Sequence, residues 1–399
     1  MLFPNWSRFM TRQIRRSRRP LAVAAVELLE KRTVPTVTAS GTSVVTIVVT
    51  ADEDIDIQDN AGALEVLENG VANAQIAALN IPVAFIQSLS IRATSSSAAN
   101  TINLGGMTDT AFVLLESLSV RAGGGNDTIT GSPLITVNEV LLGGRGDDII
   151  NGGDGSDVIN GEDGNDVLTG DNGDDVVLGG AGSDVLTGGD GNDNLKGQIG
   201  DDAVNGGEGD DRIDGGDGND TLTGADGNDS ILAGRGDDVV RGDDAAAVAP
   251  GNDTIDGGAG FDVIQGDDGD DSINAGDGND LIGGNAGNDT LNGGAGNDRI
   301  DGGLDNDVIA GAAGNDTLLG GDGDDSITGG AGNDVIAGQA GIDTVNGNGS
   351  ADTVLGGSGG AGGTADPGDL VTVDSASEQN EVSTKVTGAN IGWTALVNL

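Results

Sequence analysis

The stretch GGDGSDVIN at residues 152–160 decides how this chain folds. Its nine-residue frame is G-G-x-G-x-D-x-U-x, with U a large aliphatic residue. Eleven copies follow one another without a slip from Gly143 to Arg241. The frame resumes at Gly251 and holds to Leu355, and one earlier, isolated copy occupies 122–130. In all twenty-four copies the sixth position is Asp and the eighth is Ile, Leu or Val. A short fixed period of this kind specifies a solenoid, in which each unit buries its apolar face only by stacking on its neighbours.

Each position of the frame has a physical task. Three glycines in six residues serve backbone conformations that residues with a Cβ reach only at a cost. G-G-x-G-x-D is therefore expected as a turn and D-x-U-x as a short strand. Strand side chains alternate in direction, so stacked half-coils line Ile150, Ile159, Leu168 and Val177 into two inward aliphatic ladders. Residues such as Asp148, Asp157 and Asp166 then form columns along the turns. Carboxylates stacked at a strand spacing of about 4.8 Å repel one another unless a cation lies between them. Carboxylate and carbonyl oxygens are hard ligands that suit Ca²⁺. An Asx turn would accept Asn as readily as Asp, yet Asn is frequent at the fifth position and never takes the sixth in these copies. That asymmetry points to a need for charge. An EF-hand reading of strings such as DGNDTL fails, because the glycine density leaves no room for its flanking helices.

The blocks GGRGDDIIN (143–151), GGEGDDRID (206–214) and GGAGNDVIA (329–337) resemble the RTX, or haemolysin-type calcium-binding, nonapeptide. The resemblance covers 143–355 continuously. It implies an all-β fold, a right-handed parallel β-roll with eighteen residues per coil, and Ca²⁺ bound between turns by the sixth-position Asp and backbone carbonyls. Carried over residue by residue, the implied ligands begin with Asp127, Asp148, Asp157, Asp166, Asp175, Asp184, Asp193 and Asp202. They continue through Asp211, Asp220, Asp229, Asp238, Asp253, Asp262, Asp271 and Asp280. The last are Asp289, Asp298, Asp307, Asp316, Asp325, Asp334, Asp343 and Asp352. The fourth-position Gly is replaced at Asp305 and Ser350, so those half-turns depart from the pattern.

Charge agrees with a metal. The chain carries 66 acidic and 17 basic residues, a net charge of −49. Residues 143–355 hold 48 of the acidic and 6 of the basic side chains, a net −42 on the repeats. Pairing across every second half-turn gives on the order of twenty sites, whose ions would nearly neutralise the repeats. An empty roll repels itself, aromatic residues are only 2% and Cys is absent, so metal binding is expected to be coupled to folding. His is absent as well, which removes the H-E-x-x-H zinc site and both Ser-His-Asp and Cys-His catalysis. Acidic pairs such as Asp210–Asp211 already follow from the repeat, and no enzyme activity is expected. The negative charge argues against nucleic acid and anionic membranes as partners.

Outside the repeats the composition changes. Residues 1–35 are basic, and Ser17-Arg18-Arg19-Pro20-Leu21 before the apolar run at 21–26 resembles a twin-arginine export signal. Leu29-Glu30-Lys31-Arg32 resembles a sorting motif of large bacterial surface proteins. No stretch has the apolar length of a membrane span. Residues 36–142 form a β-rich lead-in, expected as irregular β-helix coils that cap the roll; a small separate β-domain is the alternative. Within it IQSLSIRATSSSAANTINL (86–104) and LESLSVRAGGGNDTITG (115–131) resemble each other, Leu89 and Ile91 matching Leu118 and Val120. GDDAAAVAP (242–250) reads as a loop insert in the roll at 143–355. Residues 356–399 are a glycine-rich linker and a tail, LVTVD (370–374) and IGWTALVNL (391–399), that reads either as a type I secretion signal or as a cap.

The expected function is calcium binding by an exported bacterial surface, matrix or adhesin-like protein, secreted or held at the cell surface, whose roll folds on meeting Ca²⁺ outside the cell. The alternative is the calcium-binding module of a secreted toxin or hydrolase system with its catalysis in another chain. Ice binding needs a flat Thr ladder, and the third position is mostly Asp or Ala.

Overall fold

Residue spacing sets the architecture directly. The computed structural model describes residues 88–93, 99–107, 115–133, 137–244, 249–348 and 351–355, with strands at 36–40, 44–49, 54–60, 63–68, 71–72 and 370–372. The expected export segment at 1–35, the linker at 356–369 and the piece at 391–399 lie outside the described residues. Every regular element among the described residues is a strand. From β8 (Ser117–Gly124) to β33 (Thr353–Leu355) the chain winds two strands per coil, about 13 coils in all. Successive strands alternate between two sheets of 17 strands each.

The register is parallel and fixed by the period. β10 (Glu139–Arg145) pairs with β12 (Val158–Asp163) so that Leu141 faces Ile159, eighteen residues on. In the other sheet β11 (Ile149–Asp154) places Ile150 against Leu168. These eighth-position aliphatics form one continuous buried core, from Ile129 through Val354. A one-residue slip would turn each ladder outward, so the aliphatic frame and the hydrogen-bond register enforce each other.

The strand is longer than the D-x-U-x expectation. β11 runs from the seventh position of one copy to the third of the next, and most strands of the roll repeat this six-residue span. The first two glycines are thus strand residues, and only positions four to six turn. Gly155, at the fourth position, has φ 136 and Gly153, at the second, φ 98. The second-position conformation bends the strand without ending the ladder, since Gly153 itself pairs with Asp171, and Asn151↔Thr169 and Asp154↔Asn172 pair before and after it.

The coils lengthen toward the amino-terminal end. β9 (Thr128–Ser132) pairs with β11 at a 21-residue offset, Thr128 facing Ile149. β6 (Ser88–Ala93) pairs with β8 at 29 residues, and there Leu89 faces Leu118 and Ile91 faces Val120, as their sequence likeness implied. β2 (Val44–Val49) stacks in parallel on β6, and β3 (Asp54–Asn60) on β7 (Thr101–Gly106). Beyond them pairing turns antiparallel: β1 (Thr36–Ser40) lies on β2, and β4 (Ala63–Glu68) on β3. Among the described residues the parallel template thus gives way to antiparallel strands at this edge, a pairing that blunts an open sheet edge.

The insert is accommodated within one turn. β20 (Ser230–Arg235) and β22 (Thr254–Ala259) pair at a 24-residue offset, Ser230 facing Thr254, and the next pairing, Thr254 with Ser272, returns to eighteen. Gly242 still holds a first position, because a Cβ there would meet Asp253 Oδ2 and the Gly266 carbonyl oxygen. The six extra residues therefore enter between the third and fourth positions, after Asp244.

Candidate metal centre

All twenty-four sixth-position aspartates are buried, 0–3% exposed. They lie at the ends of the turns in two columns, one per sheet edge. Each column is built by the same hydrogen bond. The N–H of Asp148 donates to Oδ1 of Asp166 at 2.7 Å, that of Asp166 to Asp184 at 2.8 Å, and that of Asp184 to Asp202 at 2.8 Å. The second column repeats it from Asp157 to Asp175 and from Asp175 to Asp193. One carboxylate oxygen is thus committed to the backbone of the coil before.

The other oxygen is not. From Asp127 to Asp325, Oδ2 of each sixth-position Asp is buried without a hydrogen-bond partner among the described residues. It lies over the first-position glycine of its own copy. A Cβ on Gly161 would collide with Asp166 Oδ2 and would stand 2.7 Å from the carbonyl oxygen of Gly179, one coil on. The first-position glycine is therefore selected for room rather than for φ: it opens a cradle in which a carboxylate oxygen and a carbonyl oxygen converge. Ala122, Ala233 and Ala275 are the exceptions that narrow it. The second position obeys the opposite rule. Glu162, Asp171 and Gln198 stand there with φ 75, 75 and 81, so side chains are accepted at the cost of a left-handed backbone. At the replaced fourth position, Asp305 keeps the turn with φ 73.

Burial also sets the electrostatics of the cradle. Burial pushes Asp148 up to about 7; the N–H of Asp127 pulls it down, and the charges of Asp127, Asp166 and Asp147 push it up further. Asp175 and Asp211 are likewise raised to about 7 and Asp229 to about 8, with burial the largest cause in each. A buried carboxylate with one bare oxygen is uncomfortable as an anion unless a cation compensates it. Two exposed fifth-position acids differ: Asp210 is lowered by hydrogen bonds from the N–H and Nδ2 of Asn228, and Asp270 by those from Asn288. The Asp210–Asp211 pair thus points to opposite sides of the wall, one outward and one inward.

Among the described residues no three Asp, Glu, His or Cys side chains converge on one point. An ion in a column would take one or two carboxylates and draw its remaining oxygens from backbone carbonyls. That donor set is hard, anionic and all oxygen, and it fits Ca²⁺ rather than a metal that prefers nitrogen or sulfur.

Two features escape a reading of the sequence alone. Fifth-position Asn and Asp make a second ladder on the exposed rim, with Asn315 N–H donating to Asn297 Oδ1 at 2.8 Å and Asn333 N–H to Asn315 Oδ1 at 2.8 Å. The frequency of Asn at the fifth position is the sequence signal of this ladder. The copy at 122–130 is also not isolated: Glu139 stands in the sixth-position place between it and the main run, its N–H donating to Asp157 Oδ1 at 2.7 Å. The 21-residue spacing from Asp127 to Asp148 was the available signal.

No curated protein matches the chain in sequence. The family model of the RTX calcium-binding nonapeptide repeat matches nine segments, of which the last four overlap: 119–133, 137–168, 169–204, 205–240, 249–282, 283–318, 302–336, 311–345 and 328–360. They span more than half of the chain and coincide with the coils that carry the aspartate columns. The chain belongs to the RTX calcium-binding nonapeptide repeat family.

Proposed function

We propose that the twenty-four sixth-position aspartates from Asp127 to Asp352 are the calcium ligands of this roll, holding on the order of twenty ions between coils. The observation that carries this is the bare, buried Oδ2 from Asp127 to Asp325, which at most copies lies beside a carbonyl oxygen over the first-position glycine, as Asp166 Oδ2 does beside the Gly179 carbonyl over Gly161. Bound calcium supplies the positive charge that lets both columns ionise inside the wall. The chain's own part is to hold each carboxylate by its Oδ1, to exclude side chains from the cradle and to present the carbonyls.

With 48 acidic side chains in 143–355, the metal-free repeats are unstable as a compact roll, and calcium acts as a folding switch. Millimolar to submillimolar affinity would keep the chain unfolded where calcium is scarce and fold it where calcium is plentiful. This supports an exported, non-enzymatic bacterial protein of the surface, matrix or adhesin type. Residues 1–35 serve in export or sorting, 36–142 as the cap that starts the roll at 143–355, and 356–399 as linker and tail.

The test is far-UV circular dichroism of the full chain during titration with calcium, with magnesium as control. A cooperative gain of β-structure with calcium alone is expected. Full β-structure in the presence of a chelator at neutral pH would remove the switch.

A further inference from the structure

We propose that Glu139 is a twenty-fifth carboxylate of the columns and forms, with Asp157 one coil on, the first calcium site of its column; this rests on the calcium reading above. Residues 131–142, GSPLITVNEVLL, are a repeat with three residues added. Ser132 faces Gly153, so both hold the second position. The 21-residue offset there is the regular eighteen plus three. The frame then returns with Val137 fourth, Asn138 fifth, Glu139 sixth and Leu141 eighth, and Leu141 faces Ile159 in the core.

Glu139 is placed like the aspartates and is 0% exposed. Its N–H makes the same bond to the next carboxylate, Asp157 Oδ1 at 2.7 Å. Its Oε2 is buried without a hydrogen-bond partner, as Oδ2 is from Asp127 to Asp325. The difference lies in the anchored oxygen. The regular aspartates accept an N–H from the coil before, whereas Glu139 Oε1 accepts the Ser132 N–H at 3.1 Å and the Ser132 hydroxyl. The coil before presents Leu118 opposite Glu139, so the carboxylate column begins here. The extra methylene of Glu lets the anchored oxygen find its donor within its own copy, while the bare oxygen stays in the column beside Asp157. One backbone N–H and one hydroxyl do not compensate the charge of a buried carboxylate; a cation shared with Asp157 does.

The experiment counts calcium ions on the full chain by native mass spectrometry and follows hydrogen exchange of residues 137–142 across a calcium titration. Glu139→Gln keeps the size and hydrogen bonding of a neutral acid and removes the charge. It is expected to bind one ion fewer and to need about tenfold more calcium to protect 137–142. Ser132→Ala removes the hydroxyl and leaves the carboxylate, and is expected to keep the full count. The proposal is overturned if Glu139→Gln retains both the ion count and the protection profile, or if Ser132→Ala loses as much as Glu139→Gln, because the pair would then be a structural hydrogen bond. A wild-type chain that takes up no calcium would instead remove the calcium reading itself.

Discussion

Asp148 donates its backbone N–H to Oδ1 of Asp166, one coil further along the roll, at 2.7 Å. One position earlier the bond runs backward: Asn165 donates its N–H to Oδ1 of Asp147 at 3.0 Å. Adjacent ladders of opposite direction thus bind each turn to its neighbours, one buried and one exposed. The buried ladder divides the carboxylate into an oxygen that folds the chain and an oxygen without a hydrogen bond, the one proposed above as a calcium ligand.

That division is open to a paired substitution. Asp166→Asn keeps an acceptor for the Asp148 N–H and removes the charge; Asp166→Ala removes both. In saturating calcium, Asp166→Asn is expected to lower the ion count and raise the calcium midpoint while leaving a folded roll. Asp166→Ala is expected to lose about 1–3 kcal/mol more, the cost of a buried N–H left bare. Calcium counting together with thermal unfolding of both variants checks the order, and equal losses would show that the hydrogen bond contributes nothing separate.

The metal-free roll and the loaded roll are expected to respond oppositely to pH. Asp166 is raised to about 6, Asp148 to about 7 and Asp229 to about 8, mainly by burial. Such groups hold protons in the fold that the unfolded chain has released, so stability is present at low pH and lost as pH rises through about 6 to 8. With chelator present, β-structure should increase as pH falls from about 8 to about 5. Calcium needs the ionised carboxylates, so its midpoint should rise over the same change. Circular dichroism in chelator at both pH values is sufficient, and a β-signal that falls on acidification would contradict the raised values.

Glycine at the first position is predicted to matter through volume. Gly161 has no room for a side chain between Asp166 Oδ2 and the Gly179 carbonyl, while Ala122, Ala233 and Ala275 show that a single methyl is absorbed elsewhere. Gly161→Ala should therefore cost little in folding and some calcium affinity. Gly161→Val should fill the cradle and destabilise the coil by about 1–3 kcal/mol or more. Comparing the calcium midpoints of the two variants separates lost room from lost backbone freedom, because both residues restrict the backbone.

The rim ladder should behave as structure without metal. Asn297→Ala removes the acceptor for the Asn315 N–H at 2.8 Å and Nδ2 at 3.1 Å. Both groups are exposed and turn to water, so a loss of about 0.5–1.5 kcal/mol is expected, with the calcium count unchanged. A lost ion would place the fifth position among the ligands.

The period, the inward aliphatic ladders and the aspartate columns were legible because each depends on one residue type at one place in the frame. Three things were not. The strand extends through the first two glycines because pairing tolerates the bend at Gly153, which a count of turn-forming residues ignores. Glu139 was hidden because three added residues break the frame before it, and only the stacking of Ser132 on Gly153 restores its position. The different demands of the three glycines, room at Gly161 and φ at Gly155, belong to neighbouring coils and not to the nonapeptide.

The same geometry predicts that the six-residue insert can be removed without loss of the aspartate columns. In regular coils the fourth-position N–H donates to the third-position carbonyl one coil on, as Gly209 does to Asp226 at 2.8 Å. At the insert Gly227 donates instead to Ala249 at 3.0 Å, the last residue but one before Gly251. Deleting 245–250 joins Asp244 to Gly251 and returns the sequence to G-D-D-G-N-D, a regular half-turn. Asp244, in the third position, would then offer its carbonyl to Gly227, and Asp253 would keep its place over Gly242. Asp229 N–H already reaches Asp253 Oδ1 at 2.8 Å across the 24-residue gap, so the column does not depend on the added residues. The deletion is expected to leave calcium count and midpoint unchanged and to raise thermal stability slightly, through the shorter closure. A lost ion, or a roll that unfolds in two steps on either side of residue 244, would show that the insert supports the column rather than merely interrupting it.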